Sequence, residues 1–288
     1  MMRTLMVGVA SLVFGAAAAV AQEEHAKVRL ISETKALMPG KTAWLALHFE
    51  IDDKWHLYWN GINDSGFAPR LNPEFPEGYK AGEFLWPAPK RYVQPGDILD
   101  HIYENHVTLM FPVEVPGSVA PGERVEFKAS PEWLVCHDVC LPGGADVKLT
   151  LPVVDQDEGA PASDDAGLFA KARLRLPKPL PKDNVPVVIN VAEGKVSIQA
   201  VGAAELAYYP GLNGVVYPSL IKEGQRKGDK LVLSFRKGTD GASRLKGVLE
   251  VKPQEPGEPM LWQLDVDLES VNKATPGPSD TDTRSRGD

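Results

Sequence analysis

Cysteine is nearly absent from this chain. Two occur in 288 residues, Cys136 and Cys140, and so few exclude a disulfide-dense scaffold. No second CxxC and no HxxxH cluster accompanies them, which removes the usual zinc-binding spacings. Basic residues are the minority charge, 31 Lys and Arg against 39 Asp and Glu. No basic patch is visible, and a nucleic-acid partner is therefore not expected. No stretch beyond the first twenty or so residues is long and apolar enough to cross a bilayer. βαβ alternation and a phosphate-binding glycine loop are missing as well, which excludes a nucleotide-binding α/β domain.

What is present begins with an address. "MMRTLMVGVASLVFGAAAAVAQ" has one Arg near its start, an apolar run too short and too rich in Ala and Gly for a span, and a small-residue end at Ala19-Val20-Ala21. That is the layout of a secretory signal peptide over residues 1–21, with cleavage after Ala21. Loss of Arg3 with the leader leaves 30 basic and 39 acidic residues, a net charge of −9. The mature protein is expected to be exported and soluble, with the bacterial periplasm as the best-fitting compartment and no transmembrane segment after cleavage.

The rest reads as all-β. "KVRLISE" and "TAWLALHFEI" alternate apolar and polar residues with a period of two, the mark of a half-buried strand. "VTLMFPVEV", "RVEFKA" and "DVKLTLPV" repeat the pattern between Pro/Gly turns. The expectation is two immunoglobulin-like β-sandwich domains joined by a short acidic linker. The boundaries are 22–154 for the first, 155–167 for the linker "DQDEGAPASDDAG", 168–270 for the second, and 271–288 for a disordered tail. The second domain opens with one short helix, "LFAKARLRL", capped near Asp164 or Asp165. Its strands are read at "VPVVINV", "KVSIQA", "GVVYP", "DKLVLSFRK", "RLKGVLEV" and "MLWQLDVDL". Residues 60–100, rich in Pro, Gly and Asn, read as one long irregular stretch whose aromatics Phe67, Phe75, Tyr79, Phe84, Trp86 and Tyr92 pack it onto the sandwich.

"WLVCHDVCLPGG" holds the chemistry. A disulfide needs Cα atoms about 4.4–6.8 Å apart, whereas four steps along a strand span about 13 Å. "EWLVC" is strand-like and "CLPGG" breaks, so "HDV" must turn if the sulfurs are to join. That places the pair at a strand end, within reach of other molecules. Three roles fit these residues. A structural disulfide is the simplest, because two cysteines in an exported protein usually pair, but so short a loop contributes little chain-entropy stabilisation. A metal site could draw on Cys136, His137 and Cys140 with His56, His101 or His106, for zinc or copper(I). A working redox pair is the third.

The wider sequence resembles a known family. "WLVCHDVCLP" is similar to the cysteine motif of the amino-terminal periplasmic domain of the DsbD family of thiol:disulfide interchange proteins, in the branch that includes the copper-tolerance protein ScsB. "WHLYWNGINDSGFAPRL" and "FLWPAPKRY" resemble two further motifs of that branch, in the same order. The likeness covers nearly the whole mature chain. It implies two immunoglobulin-like domains, with Cys136 and Cys140 as the catalytic pair and Cys140 as the sulfur that makes the mixed disulfide. It also implies periplasmic thiol-disulfide proteins as partners. The family's membrane and thioredoxin domains have no counterpart in this sequence, so a separate membrane electron donor is expected. No cofactor and no resident metal is called for.

Among the other polar residues, Asp64 and Ser65 in "NDSG" read first as turn chemistry. His137 beside the sulfurs would favour a thiolate if protonated, and Asp138 would oppose it. His56 reads as a packed histidine. The resulting expectation is an exported thiol-disulfide exchange protein relaying electrons between periplasmic partners. The rival is a non-catalytic binding or copper-handling protein whose cysteines hold only a loop or a metal.

Overall fold

Period-two alternation does produce strands along most of the chain. The computed structural model describes residues 24–271 apart from 156, 158, 182, 184, 239 and 240. The expected leader and all of the expected tail beyond Val271 lie outside the described residues.

The amino-terminal half runs β1 (Ala26–Ser32), β2 (Thr42–Ile51), β3 (His56–Tyr58), β4 (Pro73–Glu74), β5 (Lys80–Ala81), β6 (Lys90–Gln94), β7 (Ile98–Glu104), β8 (His106–Glu114), β9 (Arg124–Ala129), β10 (Glu132–Cys136), β11 (Cys140–Gly144) and β12 (Val147–Pro152). They form sheets ordered β1-β2-β8-β5, β11-β10-β3-β7-β6 and β12-β9-β4. Leu45, Leu47 and Phe49 of β2, Leu109 and Phe111 of β8, Phe127 of β9, and Trp133 and Val135 of β10 meet in one core. These residues lie two apart along each strand, so one face of each sheet turns inward.

The half-buried reading of β2 is corrected. Its second face is covered too, because α1 (Ala166–Leu174) lays Phe169 and Ala172 against Ile31, Ala46 and Met110. The helix was expected to open the second domain; its apolar residues instead pack on the first sheet. Asp165 stands at its N-cap without a capping hydrogen bond, its carboxylate turned to the guanidinium of Arg29. The segment before it is tied down as well. Lys35 N–H donates to Pro161 O at 2.8 Å and Ser163 N–H to Glu33 O at 2.9 Å.

The irregular stretch also needs correction at its end. β6 and β7 form an antiparallel hairpin in register from Lys90–Ile102 to Gln94–Ile98. Pro89 and Pro95 around it obscured the alternation, yet each sits outside the paired residues. Phe75, Tyr79, Phe84 and Trp86 pack on the core as expected. Phe67 stays 44 % exposed, and Tyr92 packs beside Cys136 instead.

The carboxy-terminal half contains β13 (Lys178–Pro179), β14 (Val188–Ala192), β15 (Lys195–Gln199), β16 (Ala203–Pro210), α2 (Leu220–Glu223), β17 (Gln225–Lys227), β18 (Lys230–Ser234), β19 (Arg244–Pro253), β20 (Met260–Asp267) and α3 (Leu268–Val271). A sheet ordered β13-β20-β19-β16-β17 faces a smaller one, β14-β15-β18, around Val196, Ile198, Leu206, Tyr208, Leu231, Leu249 and Leu264. "GVVYP" contributes only an isolated bridge, Val216 to Arg236. The strand that was not read, β16, is central. Its sequence "AAELAYYP" does not alternate, because Leu206 and Tyr208 face this half's own core while Ala207 and Tyr209 join the first half's. A strand buried on both faces carries no polar period.

Candidate functional site

The cysteines end two hydrogen-bonded strands. β10 and β11 pair in register from Glu132–Gly144 to Cys136–Cys140, with His137, Asp138 and Val139 as the turn. "CLPGG" was expected to break; it continues as a strand at the rim of its sheet, a position where Pro is tolerated. Gly143 lies under the Trp133 ring, where an added Cβ would come within 2.2 Å of the indole nitrogen. The turn brings the two Cα atoms to 4.2 Å and the sulfurs are joined as a disulfide. His137 N–H donates to Val139 O at 3.1 Å.

The two sulfurs are not equivalent. Cys136 is 1 % exposed and packs among Tyr58, Ile102, Tyr92 and Leu134. Cys140 is exposed, and so is its neighbour Val139. β10 continues into the sheet through β3, where His56 pairs with Cys136. β11 ends that side of the sheet. Burial thus comes from position in the sheet, not from residue type.

A polar chain leads from Cys140 into the protein. The Tyr58 hydroxyl lies 3.6 Å from Cys140 Sγ and 3.2 Å from Ser65 Oγ. Ser65 Oγ–H donates to Asp100 Oδ2 at 2.7 Å, and Ser65 N–H to Asp100 Oδ1 at 2.9 Å. Gln94 Nε2 donates to the same carboxylate at 2.8 Å. Asp100 is 0 % exposed, and these donors replace the water it has lost. Because Ser65 spends its proton on Asp100, its oxygen can only accept from Tyr58. The Tyr58 O–H is then free to point at Ser65 or at Cys140. Burial raises the Tyr58 pKa, with the Asp100 carboxylate adding to it and the Ser65 hydrogen bond opposing. Tyr58 therefore stays protonated, a donor at neutral pH.

The loop over Tyr58 is held residue by residue. Asn63 Oδ1 accepts from His101 N–H at 2.8 Å and Asp64 Oδ2 from Leu99 N–H at 2.7 Å. Gly66 has φ +65° and sits on the Tyr58 ring, where a Cβ would fall at 2.2 Å. The turn reading of "NDSG" thus describes Asp64, while Ser65 both turns and reaches the site.

The histidines offered to a metal part company. His56 is 2 % exposed beside Cys136, its ring 5.3 Å from that of Tyr58 and 5.2 Å from that of Tyr92. His101 packs between Trp59 and Tyr209 with Nδ1 2.7 Å from Ile62 O; burial lowers its pKa to about 4. His106 is exposed on β8. His137 contacts the Asp138 carboxylate at 3.1 Å. Among the described residues no three His, Cys, Asp or Glu side chains converge.

Sequence reasoning missed Tyr58, Tyr92, Gln94 and Asp100. Tyr58 stood inside a quoted motif. Asp100 had a signal in "ILDHIYE", where polar Asp100 and apolar Ile98 and Ile102 share one face, but the stretch was read as irregular.

Comparison with known proteins bears on this site. Residues 27–152 match the family model described as "Thiol:disulfide interchange protein DsbD, N-terminal". The N-terminal periplasmic domain of ScsB from Proteus mirabilis has a similar fold, with a TM-score of 0.54 at 17 % identity over 85 % of this chain and 94 % of that one. The DsbD N-terminal domain of Neisseria meningitidis in the reduced form is a weaker match, with a TM-score of 0.23 at 12 % identity over 43 % of this chain and 84 % of that one. No curated protein matches the chain. Among the described residues no helix is long and apolar enough to cross a membrane. That family match takes in the whole cysteine hairpin and spans 126 of the 288 residues of the chain.

Proposed function

We propose that this chain is an exported protein that relays electrons between periplasmic thiol-disulfide proteins through Cys136 and Cys140. The observation that carries this reading is the unequal exposure of the two sulfurs, Cys136 at 1 % and Cys140 open to solvent. Exchange needs a thiolate to approach one sulfur along the S–S axis and the other to leave. Only Cys140 can be approached. A partner thiolate attacks Cys140 Sγ, the S–S bond breaks, and its electron pair stays on Cys136 as a thiolate. The partner's second thiolate then attacks its own sulfur in the mixed disulfide and releases Cys140. The pair has gained two electrons and the partner has become a disulfide. In reverse, Cys140 thiolate attacks an oxidised partner and Cys136 resolves the mixed disulfide.

Tyr58 supports both directions, since its O–H can turn to Cys140 Sγ whenever that sulfur carries charge. A leader over residues 1–21 would deliver the protein, with Gln22 as the first mature residue. A separate membrane protein would supply the electrons. The organisation we favour is a first sandwich over 22–154, a linker over 155–167 and a second sandwich over 168–270, with α1 docked back onto the first.

Trapping tests the reading. Cys136→Ser should accumulate mixed disulfides with periplasmic proteins through Cys140, because the resolving sulfur is gone, and Cys140→Ser should accumulate few. The wild-type pair should equilibrate with glutathione above about −300 mV. A pair below that limit with no trapped partner would mean a structural staple. Stoichiometric copper(I) held by the reduced protein, with exchange blocked, would favour a metal-handling role.

A further inference from the structure

His56 is the one buried polar group at the cysteines that the steps above leave idle. It is the cross-strand partner of Cys136, so both side chains leave the sheet on one face with Cβ atoms about 4.5–5.5 Å apart. Both are buried, at 2 % and 1 % exposure. The imidazole is walled by Tyr58 and Tyr92, which pack against Cys136 as well. Its Nε2 is a buried nitrogen with no hydrogen-bond partner. A buried polar atom without a partner is uncommon and costly. A disulfide sulfur is too weak an acceptor to relieve it.

We infer that His56 is the hydrogen-bond partner of the Cys136 sulfur once the disulfide opens, and that it thereby draws the pair toward the dithiol. This rests on the exchange reading above. When a partner thiolate takes Cys140, the bond's electron pair is left on Cys136, deep in the sheet and away from water. A thiolate there needs a donor. Nε2–H of the neutral ring supplies it at first; once one proton is taken up from solvent, the pair is an imidazolium beside the thiolate or a neutral ring accepting at Nε2 from a Cys136 thiol, and these two descriptions differ only in where that proton sits. In the disulfide state the nitrogen has no partner, and in the dithiol state it gains one. The interaction is therefore made in one redox state only, which is what shifts an equilibrium.

The charged and titratable surroundings of His56 are these. β3 contributes Tyr58, β6 contributes Tyr92, and Lys90 of β6 is bonded to Glu104. β7 contributes Glu104, in register with His56, and Asp100. The turn contributes His137. Burial lowers the His56 pKa, His137 adds to this, and Asp100 and Glu104 oppose it. In the disulfide the ring is accordingly neutral at pH 7, and an adjacent thiolate would make it easier to protonate.

The test needs no partner protein. In Cys140→Ser, Cys136 is the only thiol, and its ionisation is followed by thiolate absorbance against pH. His56→Phe in that background should make Cys136 about tenfold less acidic, in line with loss of a charge-assisted hydrogen bond. His56→Gln, which keeps an N–H, should recover part of the loss. With both cysteines present, His56→Phe should shift the equilibrium with glutathione about tenfold toward the disulfide, a fall of about 30 mV. The wild-type His56 ring, followed by NMR, should bind its proton more tightly in the dithiol than in the disulfide, a reading that no variant's folding can disturb. An unchanged ring titration on reduction overturns the inference, as does a Cys136 ionisation indifferent to His56. If the wild-type pair does not exchange with glutathione at all, the relay reading fails, while the Cys136 and His56 titrations still decide this one.

Discussion

Each half of the molecule buries a tyrosine whose hydroxyl enters a polar network, and the two networks end differently. In the carboxy-terminal half Tyr208 donates to Lys246 O at 2.5 Å and meets the Tyr217 hydroxyl at 2.8 Å. Nearby, Tyr209 donates to Glu250 at 2.6 Å. The Tyr208 bonds close on the backbone and on a second hydroxyl, the Tyr209 bond closes on a buried carboxylate, and together they hold β16 against β19. In the amino-terminal half the chain Asp100–Ser65–Tyr58 leads outward and stops at Cys140 Sγ. Burial raises the pKa of Tyr208 as it does that of Tyr58, so both remain donors. A buried tyrosine network becomes chemistry only where it ends on an atom that changes its charge and can be reached from outside, as Cys140 Sγ can and the buried Glu250 carboxylate cannot.

The strongest way to break this contrast is through α1. Phe169 is fully buried on the amino-terminal sheet, although sequence order places it with the other half. Phe169→Ala should cost about 3–5 kcal/mol. Hydrogen exchange should show the loss in β1, β2 and β8; a loss confined to β14–β20 would return the helix to the second half. Acid is the next lever. His101 joins the halves by packing on Tyr209, and burial holds its pKa at about 4 against 6.5. Below pH 6.5 the unfolded chain takes a proton that the folded chain refuses. Stability should fall as pH drops from about 6.5 and level off below about 4, by roughly 3 kcal/mol. Denaturant melts of His101→Asn across this range should show a flatter profile; an equal slope would place the acid sensitivity elsewhere.

Gly66→Ala sharpens the comparison at the site. A Cβ there strains a left-handed residue and collides with the Tyr58 ring. We expect a loss of about 1–3 kcal/mol, with exchange slowed more than any loss of fold explains. The smallest effect separates the two networks most cleanly. Tyr58→Phe should slow attack by the Cys140 thiolate on a disulfide about tenfold, near 1.4 kcal/mol of barrier, with stability little changed. Tyr208→Phe should lower stability by about 1–2 kcal/mol, since it removes the buried bonds to Lys246 O and to the Tyr217 hydroxyl, and leave the exchange rate alone. Stopped-flow exchange with a small disulfide and thermal melts on the same samples measure both. Equal effects on exchange would erase the distinction drawn here.

Much of this was legible in the sequence. Alternation gave β1, β2, β8, β9 and β12 because one face of each strand carries polar residues somewhere along it. "EWLVC" read as a strand and became β10. "AAELAYYP" was illegible because both faces of β16 are covered, one by each half. "CLPGG" misled because Pro142 and Gly143 forbid a central strand but not a rim strand against Trp133. The β6–β7 hairpin was hidden by the prolines around it, and Asp100 with it.

By itself the sequence determined the chemistry available: one pair of cysteines with three residues between them, so that only a turn could join the sulfurs. It determined an all-β chain, through period two. What it could not contain is the difference between Cys136 and Cys140. That difference arises because β10 has a neighbour, β3, drawn from eighty residues earlier in the chain, while β11 lies at the rim of the sheet. The same long-range pairing sets His56 of β3 against one sulfur, and β3 with the loop tied to β7 brings Tyr58 and Ser65 toward the other. Accessibility and hydrogen-bonding partners belong to neighbours in space, and local propensity carries no record of them.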